Sequence, residues 1–139
     1  QRRGNVRRER TTAVVIDTSA AIAILWREPE APVFLKALNV SPSVRMSAAS
    51  VLELAIVSRS DPGLAEAFIT DMDIEVLDIN AEHLYEAIRA HERFGRGSGS
   101  PAKLNFGDCF SYAAAKVTGE PLLFKGNDFT HTDIPSGVS

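Results

Sequence analysis

The chain has 139 residues, of which 45% are hydrophobic and 24% charged, and its formal net charge is −3. This length fits a single domain whose core needs no disulfide or structural metal, and one cysteine excludes an internal disulfide framework. No apolar run approaches the roughly 20 residues of a membrane-spanning helix, and the first residues lack the apolar stretch of a secretory signal, so we expect a cytoplasmic protein.

Charge is unevenly distributed along the chain. Residues 1–12 hold five Arg and one Glu, whereas the rest carries ten basic and seventeen acidic side chains. Because the chain starts with Gln, we predict that 1–12 form an Arg-rich extension, either disordered or added during cloning, and that 13–139 form one domain. The alternative is an RNA-contacting arm. The acidic balance of the domain means that any nucleic acid it binds requires metal ions or local basic patches.

Strand-like and helix-like segments alternate along the domain. The patterns predict strands at 13–16, 44–47, 74–79 and 122–124, and helices at 20–26, 31–38, 48–57, 64–70, 81–94 and 105–118. Within the last helix, apolar residues at helical spacing predict a core stripe of Phe106, Phe110, Ala113 and Val117. This alternation indicates an α/β fold in which helices cover both faces of a central, mostly parallel sheet.

An acidic residue follows the first strand. Asp17 comes directly after the apolar stretch 13–16, and Thr18 and Ser19 can open a helix. In an open α/β sheet, the carboxyl ends of the strands face the ligand crevice, so Asp17 is a candidate for chemistry. The alternative is that Asp17 only caps the helix behind it.

Three further acids have positions of the same kind. Glu53 interrupts an otherwise apolar run that predicts a buried helix, although a capping box with Ser50 is the alternative. Asp108 lies in the first turn of a helix that Asn105 can cap, where the helix dipole alone favours an acid. Asp128 follows the last strand across a Gly-Asn turn, where an isolated Asp is common.

Taken together, the four acids indicate a metal site. Carboxylates that converge on one crevice repel each other unless divalent cations lie among them, and oxygen-only sites suit Mg²⁺ or Mn²⁺. Such ions can activate a water and stabilise the leaving oxygen of a phosphodiester. The predicted catalytic and metal-binding residues are Asp17, Glu53, Asp108 and Asp128. This is the chemistry of a nuclease.

Four stretches of the sequence resemble motifs of one family. The opening stretch 15–20, the helix-borne glutamate in 50–53, the segment 104–113 and the final stretch 122–129 resemble the motifs of PIN-domain ribonucleases. The likeness extends over about residues 13–134 and is to the VapC toxins of type II toxin–antitoxin pairs. The segment 85–108 is similar to the mycobacterial-type branch.

The resemblance implies a fold, an activity and partners. The fold would be a PIN-like three-layer α/β/α sandwich. Asp17 and Asp108 would be the principal Mg²⁺ ligands, with Mn²⁺ a substitute, and Glu53 and Asp128 would complete the cluster. The protein would be an endoribonuclease that acts on RNA of the tRNA or rRNA class. It would form a homodimer and bind a VapB-type antitoxin, whose C-terminal arm would occupy the acidic groove.

Other classes of protein also gather acids at strand ends. A receiver-like signalling domain binds Mg²⁺ but requires an acidic pair in its first loop, where Thr18 and Ser19 follow Asp17. A haloacid-dehalogenase-type phosphatase requires a second Asp where Ser19 stands. A catalytically inactive binding module is the remaining alternative, and it applies if the acids do not converge.

Other chemistry-bearing residues have structural explanations. Cys109 has no base at a recognisable spacing and is expected in the core. His83 and His91 are expected to be partly buried or surface side chains rather than ligands. His131 and Asp133 are too few for a metal site and are interpreted as a small polar pair.

A glycine-rich loop at 95–101 precedes the third motif. It lacks the Gly-Lys-Ser/Thr ending of a phosphate-binding loop, and we interpret it either as a mobile loop over a site or as a connector. Arg93, Arg96 and Lys103 flank it. They either contact RNA phosphates or form a solvated charge cluster.

Overall fold

The computed structural model describes residues 13–138, in which four short strands form one parallel sheet. The strands are β1 (Val14–Ile16), β2 (Val44–Ser47), β3 (Ile74–Leu77) and β4 (Leu122–Leu123), in the order β3-β2-β1-β4. The helices are α1 (Thr18–Leu25), α2 (Ala31–Val40), α3 (Ala48–Val57), α4 (Leu64–Asp71), α5 (Ala81–Phe94), α6 (Phe106–Thr118) and a 3₁₀ turn (Phe129–His131). The predicted Arg-rich extension, residues 1–12, lies outside the described residues.

Helices cover both faces of the sheet, which confirms the predicted three-layer α/β/α sandwich. Side chains alternate along a strand, so Val14 and Ile16 of β1 pack with buried residues of α1, α2, α3 and α4. Val15 points the other way and packs with buried residues of α5 and α6. The central strand therefore separates two apolar clusters. Among the described helices, none is long and apolar enough to cross a membrane.

The order of the strands places a crevice beside β1. From β1 the chain proceeds outward to β2 and β3, and it then returns to add β4 on the opposite side of β1. The order of an α/β sheet reverses at such a point, and ligands bind there at the carboxyl ends of the strands. The Asp17 amide donates to the Leu123 carbonyl over 2.9 Å, which joins the ends of β1 and β4. We call this end of the sheet the carboxyl edge.

The predicted core stripe of α6 is wrong at its first position. Phe106 is 80% exposed, whereas the buried face of the helix includes Tyr112 and Ala113. The reason is that Phe106 is the first residue after the Asn105 cap, whereas the buried residues of the helix begin at Cys109. Its ring meets that of Phe110 edge-on, with 5.1 Å between the centroids.

Helix α3 is not buried on all sides, contrary to the expectation from its composition. Leu54 packs in the core, but Leu52 is 62% exposed and Ile56 is 53% exposed. The alternative of a capping box around Glu53 is also wrong, because α3 begins three residues earlier than that box requires. Ser47 is its N-cap and accepts a hydrogen bond from the Ala49 amide.

An apolar groove lies between α5 and α6. The face of α5 that packs inward carries His83, Ala87 and Ala90, so Leu84 and Ile88 remain exposed. The groove has a volume of about 540 Å³, and its lining includes Leu84, Ile88, Phe106, Cys109 and Phe110. Its α6 wall starts at the carboxyl edge.

Candidate active site at the carboxyl edge

Asp17 is buried and held by two donors. Only 4% of the residue is exposed, although it lies directly at the end of β1. Its Oδ2 accepts from the Ser19 amide over 2.9 Å, which makes Asp17 the N-cap of α1. Its Oδ1 accepts from the Ser111 hydroxyl over 2.5 Å. The predicted alternative of a helix cap is therefore correct, and it does not exclude a role in a site.

Asp108 takes part in a reciprocal capping box. The Asn105 side chain accepts from the Asp108 amide over 2.8 Å, and Asp108 Oδ2 accepts from the Asn105 amide over 3.0 Å. The box uses one carboxylate oxygen of Asp108 and leaves the other available to a ligand. Capping and ligand binding are compatible at this residue too.

The pKa of Asp108 reflects both its burial and the charges of the other three acids. It is raised from 3.8 to about 6, chiefly because the carboxyl is desolvated by burial. The hydrogen bond with the Asn105 backbone acts in the opposite direction. The charges of Asp17, Asp128 and Glu53 raise the pKa further, in that order. All four predicted site residues therefore lie close enough to interact electrostatically.

Glu53 reaches α6 at a glycine. A Cβ atom added to Gly107 would lie 2.8 Å from Glu53 Oε2 and 2.9 Å from Oε1. Such distances are too short for a real contact, so only glycine at position 107 admits the Glu53 carboxylate beside Asp108. The sequence motif contains this glycine, but its role becomes apparent only from the packing of α3 against α6.

Asp128 is exposed and lies on the turn after β4. It begins the 3₁₀ turn without a side-chain capping hydrogen bond. The start of its loop is joined to α1, because the Lys125 amide donates to Ser19 Oγ over 3.0 Å. The Lys125 ammonium pairs with Glu28 at 2.8 Å and with Glu30 at 3.5 Å.

The donor set fits a hard divalent cation. The four side chains supply only carboxylate oxygens, which are the ligands of Mg²⁺ and Mn²⁺. Burial is the main reason why the pKa of Asp108 is raised, and the charges of Asp17, Asp128 and Glu53, which raise it further, are charges that a bound cation would offset. Within residues 13–138, no three His, Cys, Asp or Glu side chains already surround a common point.

Two buried serines at the site were not predicted. Ser111 donates to Asp17, and its own oxygen lies 2.9 Å from the oxygen of Ser50. Ser111 is 1% exposed and Ser50 is 0% exposed. The available signal in the sequence was a polar residue on the buried face of α6, three residues after Asp108.

The other chemistry-bearing residues lie apart from the acids or in the core. Cys109 and His83 are buried, and His91 is exposed. The predicted pair of His131 and Asp133 is wrong. Asp133 instead accepts from the Tyr112 hydroxyl at 2.7 Å and pairs with Lys116 at 2.8 Å. These contacts hold the C-terminal segment against α6, because the Asp133 carboxylate accepts charge-assisted hydrogen bonds from two side chains of that helix.

The glycine-rich loop is closed at its base. The Leu104 amide donates to the Phe94 carbonyl, and the Arg96 amide donates to the Leu104 carbonyl. Arg93 pairs with Asp133 at 3.7 Å, whereas Arg96 and Lys103 are exposed on the loop. These two backbone hydrogen bonds fix the positions of Arg96 and Lys103 relative to the start of α6.

The raised pKa of Asp108 predicts a pH-dependent gain in stability for Asp108→Asn. The pKa exceeds its ordinary value of 3.8, so the folded chain binds this proton more readily than the unfolded chain. Ionisation of Asp108 therefore destabilises the folded state of the wild type. This effect is absent below about pH 4 and complete above about pH 6. In EDTA at pH 8, we expect Asp108→Asn to raise the free energy of unfolding by about 1–2 kcal/mol, a value discounted for partial exposure.

Urea unfolding between pH 4 and 8 measures this effect. The advantage of Asp108→Asn should shrink as the pH falls and vanish near pH 4. Asp61→Asn is the control, since Asp61 is exposed in the turn after α3, away from the carboxyl edge. A difference between Asp108→Asn and the wild type that stays constant over this range would contradict the pKa shift.

Comparison with known proteins shows the family to which the chain belongs. The PIN domain family model matches residues 14–135. The chain therefore belongs to the PIN-domain family. Ribonuclease VapC42 of Mycobacterium tuberculosis is 48% identical over 126 residues, which cover 87% of this chain and 96% of that protein. Within the family, the chain is thus a VapC protein, and the resemblance predicted from the motifs is confirmed.

Further relatives agree with this assignment. Ribonuclease VapC28 of Mycobacterium tuberculosis is 46% identical, with 87% of this chain and 95% of that protein covered. The solved structure of VapC20 of Mycobacterium tuberculosis, a Sarcin-Ricin loop cleaving toxin, has a TM-score of 0.68 and 17% identity, with 87% and 95% covered. A toxin–antitoxin complex from Klebsiella pneumoniae contains a chain with a TM-score of 0.66 and 18% identity, with 91% and 95% covered. The two structures support the fold.

Proposed function

We propose that the chain is a metal-dependent endoribonuclease and the toxin of a VapBC-type toxin–antitoxin pair. The observation that carries the proposal is the convergence of four carboxylates at the carboxyl edge, where three of them raise the pKa of the fourth. Relatives named ribonuclease VapC support the activity. The substrate class we propose is structured RNA of the tRNA or rRNA class, in the cytoplasm.

The four acids would divide the work according to their positions. Asp17 is buried and held by two donors, so we assign it and Asp108 as the principal ligands of Mg²⁺ or Mn²⁺. Glu53 completes the set directly or by orienting a water, and Asp128 is the fourth acid. When bound, the cation lowers the pKa of a water and neutralises charge on the phosphodiester.

RNA that binds at the carboxyl edge also requires positively charged side chains that contact its phosphates. From position 93 to position 107, the chain carries Arg93, Arg96 and Lys103 and no acid, although the domain is acidic overall. Arg96 and Lys103 are exposed, and the loop leads directly into α6 and Asp108. These two cations are therefore the residues we assign to phosphate contacts, whereas Arg93 is engaged with Asp133.

A VapB-type antitoxin and a second copy of this chain are the proposed partners. The exposed apolar side chains on α3 and α5 support protein partners, because contiguous apolar surface of this kind is seldom left to solvent. An antitoxin arginine that reaches the carboxyl edge would form charge-assisted hydrogen bonds with the acids.

Removal of divalent ions tests the proposal directly. We expect the purified full chain to cleave tRNA or rRNA fragments in Mg²⁺ or Mn²⁺ and to stop in excess EDTA, with activity restored when Mg²⁺ is added back. Gel analysis of end-labelled RNA measures the cleavage. Intact RNA under every condition would favour the inactive binding module, and formation of an acyl phosphate from a small phosphodonor would favour the receiver-like alternative.

A further inference from the structure

Two buried serines connect the three segments that carry Asp17, Glu53 and Asp108. Ser111 lies three residues after Asp108 on α6, and Ser50 lies three residues before Glu53 on α3. Their hydroxyl oxygens are 2.9 Å apart, and Ser111 Oγ lies 2.5 Å from Asp17 Oδ1.

The chemistry of the groups determines which of them donates in each of these hydrogen bonds. An ionised carboxylate only accepts hydrogen bonds, so the single proton of Ser111 points to Asp17. The contact between the two serines must then be a donation from Ser50 to Ser111. The Ser50 carbonyl in turn accepts from the Thr18 hydroxyl over 3.0 Å, and Thr18 is the residue directly after Asp17.

These hydroxyls depart from the usual behaviour of helical serine and threonine. Ser58 at the end of α3 and Thr118 at the end of α6 donate to carbonyls four residues earlier. Ser50 and Ser111 lie on the same two helices but direct their hydroxyls across to another element. Helix geometry alone therefore does not explain their arrangement.

Two hydrogen-bond donors fix the orientation of the Asp17 carboxylate. The last side-chain torsion of an Asp can take a broad range of angles, and donors to both carboxylate oxygens restrict that range. Ser19 holds Oδ2 of Asp17 and Ser111 holds Oδ1. The carboxylate keeps further acceptor sites for a cation, since each oxygen has two lone pairs.

We propose that Ser111, aligned by Ser50, is a positioning residue that holds the Asp17 carboxylate ready to bind a divalent cation. The inference rests on the metal site of the proposed function and adds to it two residues from outside the acid set. Groups that orient metal ligands typically influence metal affinity by about 10-fold to 100-fold.

Titration of the full chain with Mn²⁺, without RNA, tests the inference. Calorimetry, together with electron paramagnetic resonance of free Mn²⁺, should show affinity about tenfold weaker in Ser111→Ala. Because Ser50 acts through Ser111, Ser50→Ala should have a smaller effect, and adding it to Ser111→Ala should change nothing further. Ser111→Thr keeps a hydroxyl and should restore most of the affinity.

Ser58→Ala is the matched control, since Ser58 is the buried C-cap of α3 and its hydroxyl donates to the Leu54 carbonyl instead of to any of the four site acids. It should bind Mn²⁺ like the wild type. Only variants that retain a cooperative thermal transition are compared, and if Ser111→Thr does not fold, Ser111→Ala against Ser58→Ala decides. Three results would overturn the inference: an unchanged Mn²⁺ affinity in Ser111→Ala, an equal loss of affinity in Ser111→Ala and Ser58→Ala, or additive losses when Ser50→Ala is combined with Ser111→Ala.

The same titration separates this inference from the proposed function. Wild-type protein that binds Mn²⁺ but cleaves no RNA would refute the ribonuclease, while a weaker affinity of Ser111→Ala would still support positioning. Protein that cleaves RNA, with Ser111→Ala at wild-type Mn²⁺ affinity, would leave the ribonuclease intact and refute positioning. A wild type that cleaves RNA without binding Mn²⁺ would refute both the metal site and the inference.

Discussion

Replacement of Asp17 by Asn should reduce RNA cleavage by about a hundredfold to a thousandfold, since metal-ion stabilisation of a transition state amounts to several kcal/mol and each 1.4 kcal/mol corresponds to a factor of ten. The substitution keeps the size of the side chain and removes its charge. Asp17 is buried at the end of β1, where the Ser19 amide and the Ser111 hydroxyl hold its carboxylate in place. Rates of cleavage of end-labelled RNA under single-turnover conditions measure the loss.

Asp61→Asn provides the matched control for this experiment. It makes the same chemical change at an exposed turn after α3 and should cleave RNA at the wild-type rate. Thermal unfolding of both variants checks that each is folded. If Asp17→Asn cleaves as fast as Asp61→Asn, the observed activity belongs to a contaminating nuclease or the carboxyl edge is not the active site.

Gly107→Ala should reduce cleavage by about 10-fold to 100-fold while leaving the fold at least as stable. The new methyl group would overlap the Glu53 carboxylate, with its Cβ 2.8 Å from Oε2. The end of a glutamate side chain is flexible, so Glu53 moves away from Asp108 instead of disrupting the helix. A displacement of about 1 Å at a reacting centre can reduce the rate by about a hundredfold. Ala also stabilises a helix by roughly 0.5–1 kcal/mol relative to Gly.

The combination of lower activity with unchanged or higher melting temperature distinguishes this effect from damage to the fold. A double variant provides the internal control. In a Glu53→Ala background the clash no longer exists, so Gly107→Ala should cause no further loss of cleavage. An additive loss, or a lower melting temperature of Gly107→Ala alone, would show that the glycine serves the backbone and not the placement of Glu53.

Much of the secondary structure could be predicted because local signals are strong here. The predicted bounds of β2, α3 and α5 agree with the structure. Asn80 caps α5 by accepting from the His83 amide at 3.0 Å, and Asn105 caps α6 in the same way. The alternation of strands and helices predicts a parallel sheet, and a parallel sheet has the acids that follow its strands at one edge.

What the sequence did not reveal depends on contacts between distant segments. An apolar residue at helical spacing indicates a helix, but it does not say which apolar face is covered, and Phe106 and Leu52 are exposed despite their type. The pairing of Ser111 with Asp17 and the fit of Glu53 against Gly107 require the packing of α3 on α6. No periodicity or motif spacing specifies either contact.

The tie between the ends of β1 and β4 also determines when the carboxyl edge can assemble during translation. Asp17 accepts from a hydroxyl 94 positions later in the chain, and its amide donates to Leu123. A nascent chain that has produced β1, β2 and β3 holds Asp17 and Glu53 but neither Ser111 nor β4. Domains generally fold as units once their chain is available. We therefore expect the carboxyl edge to stay incomplete on the ribosome until the chain has been made as far as β4.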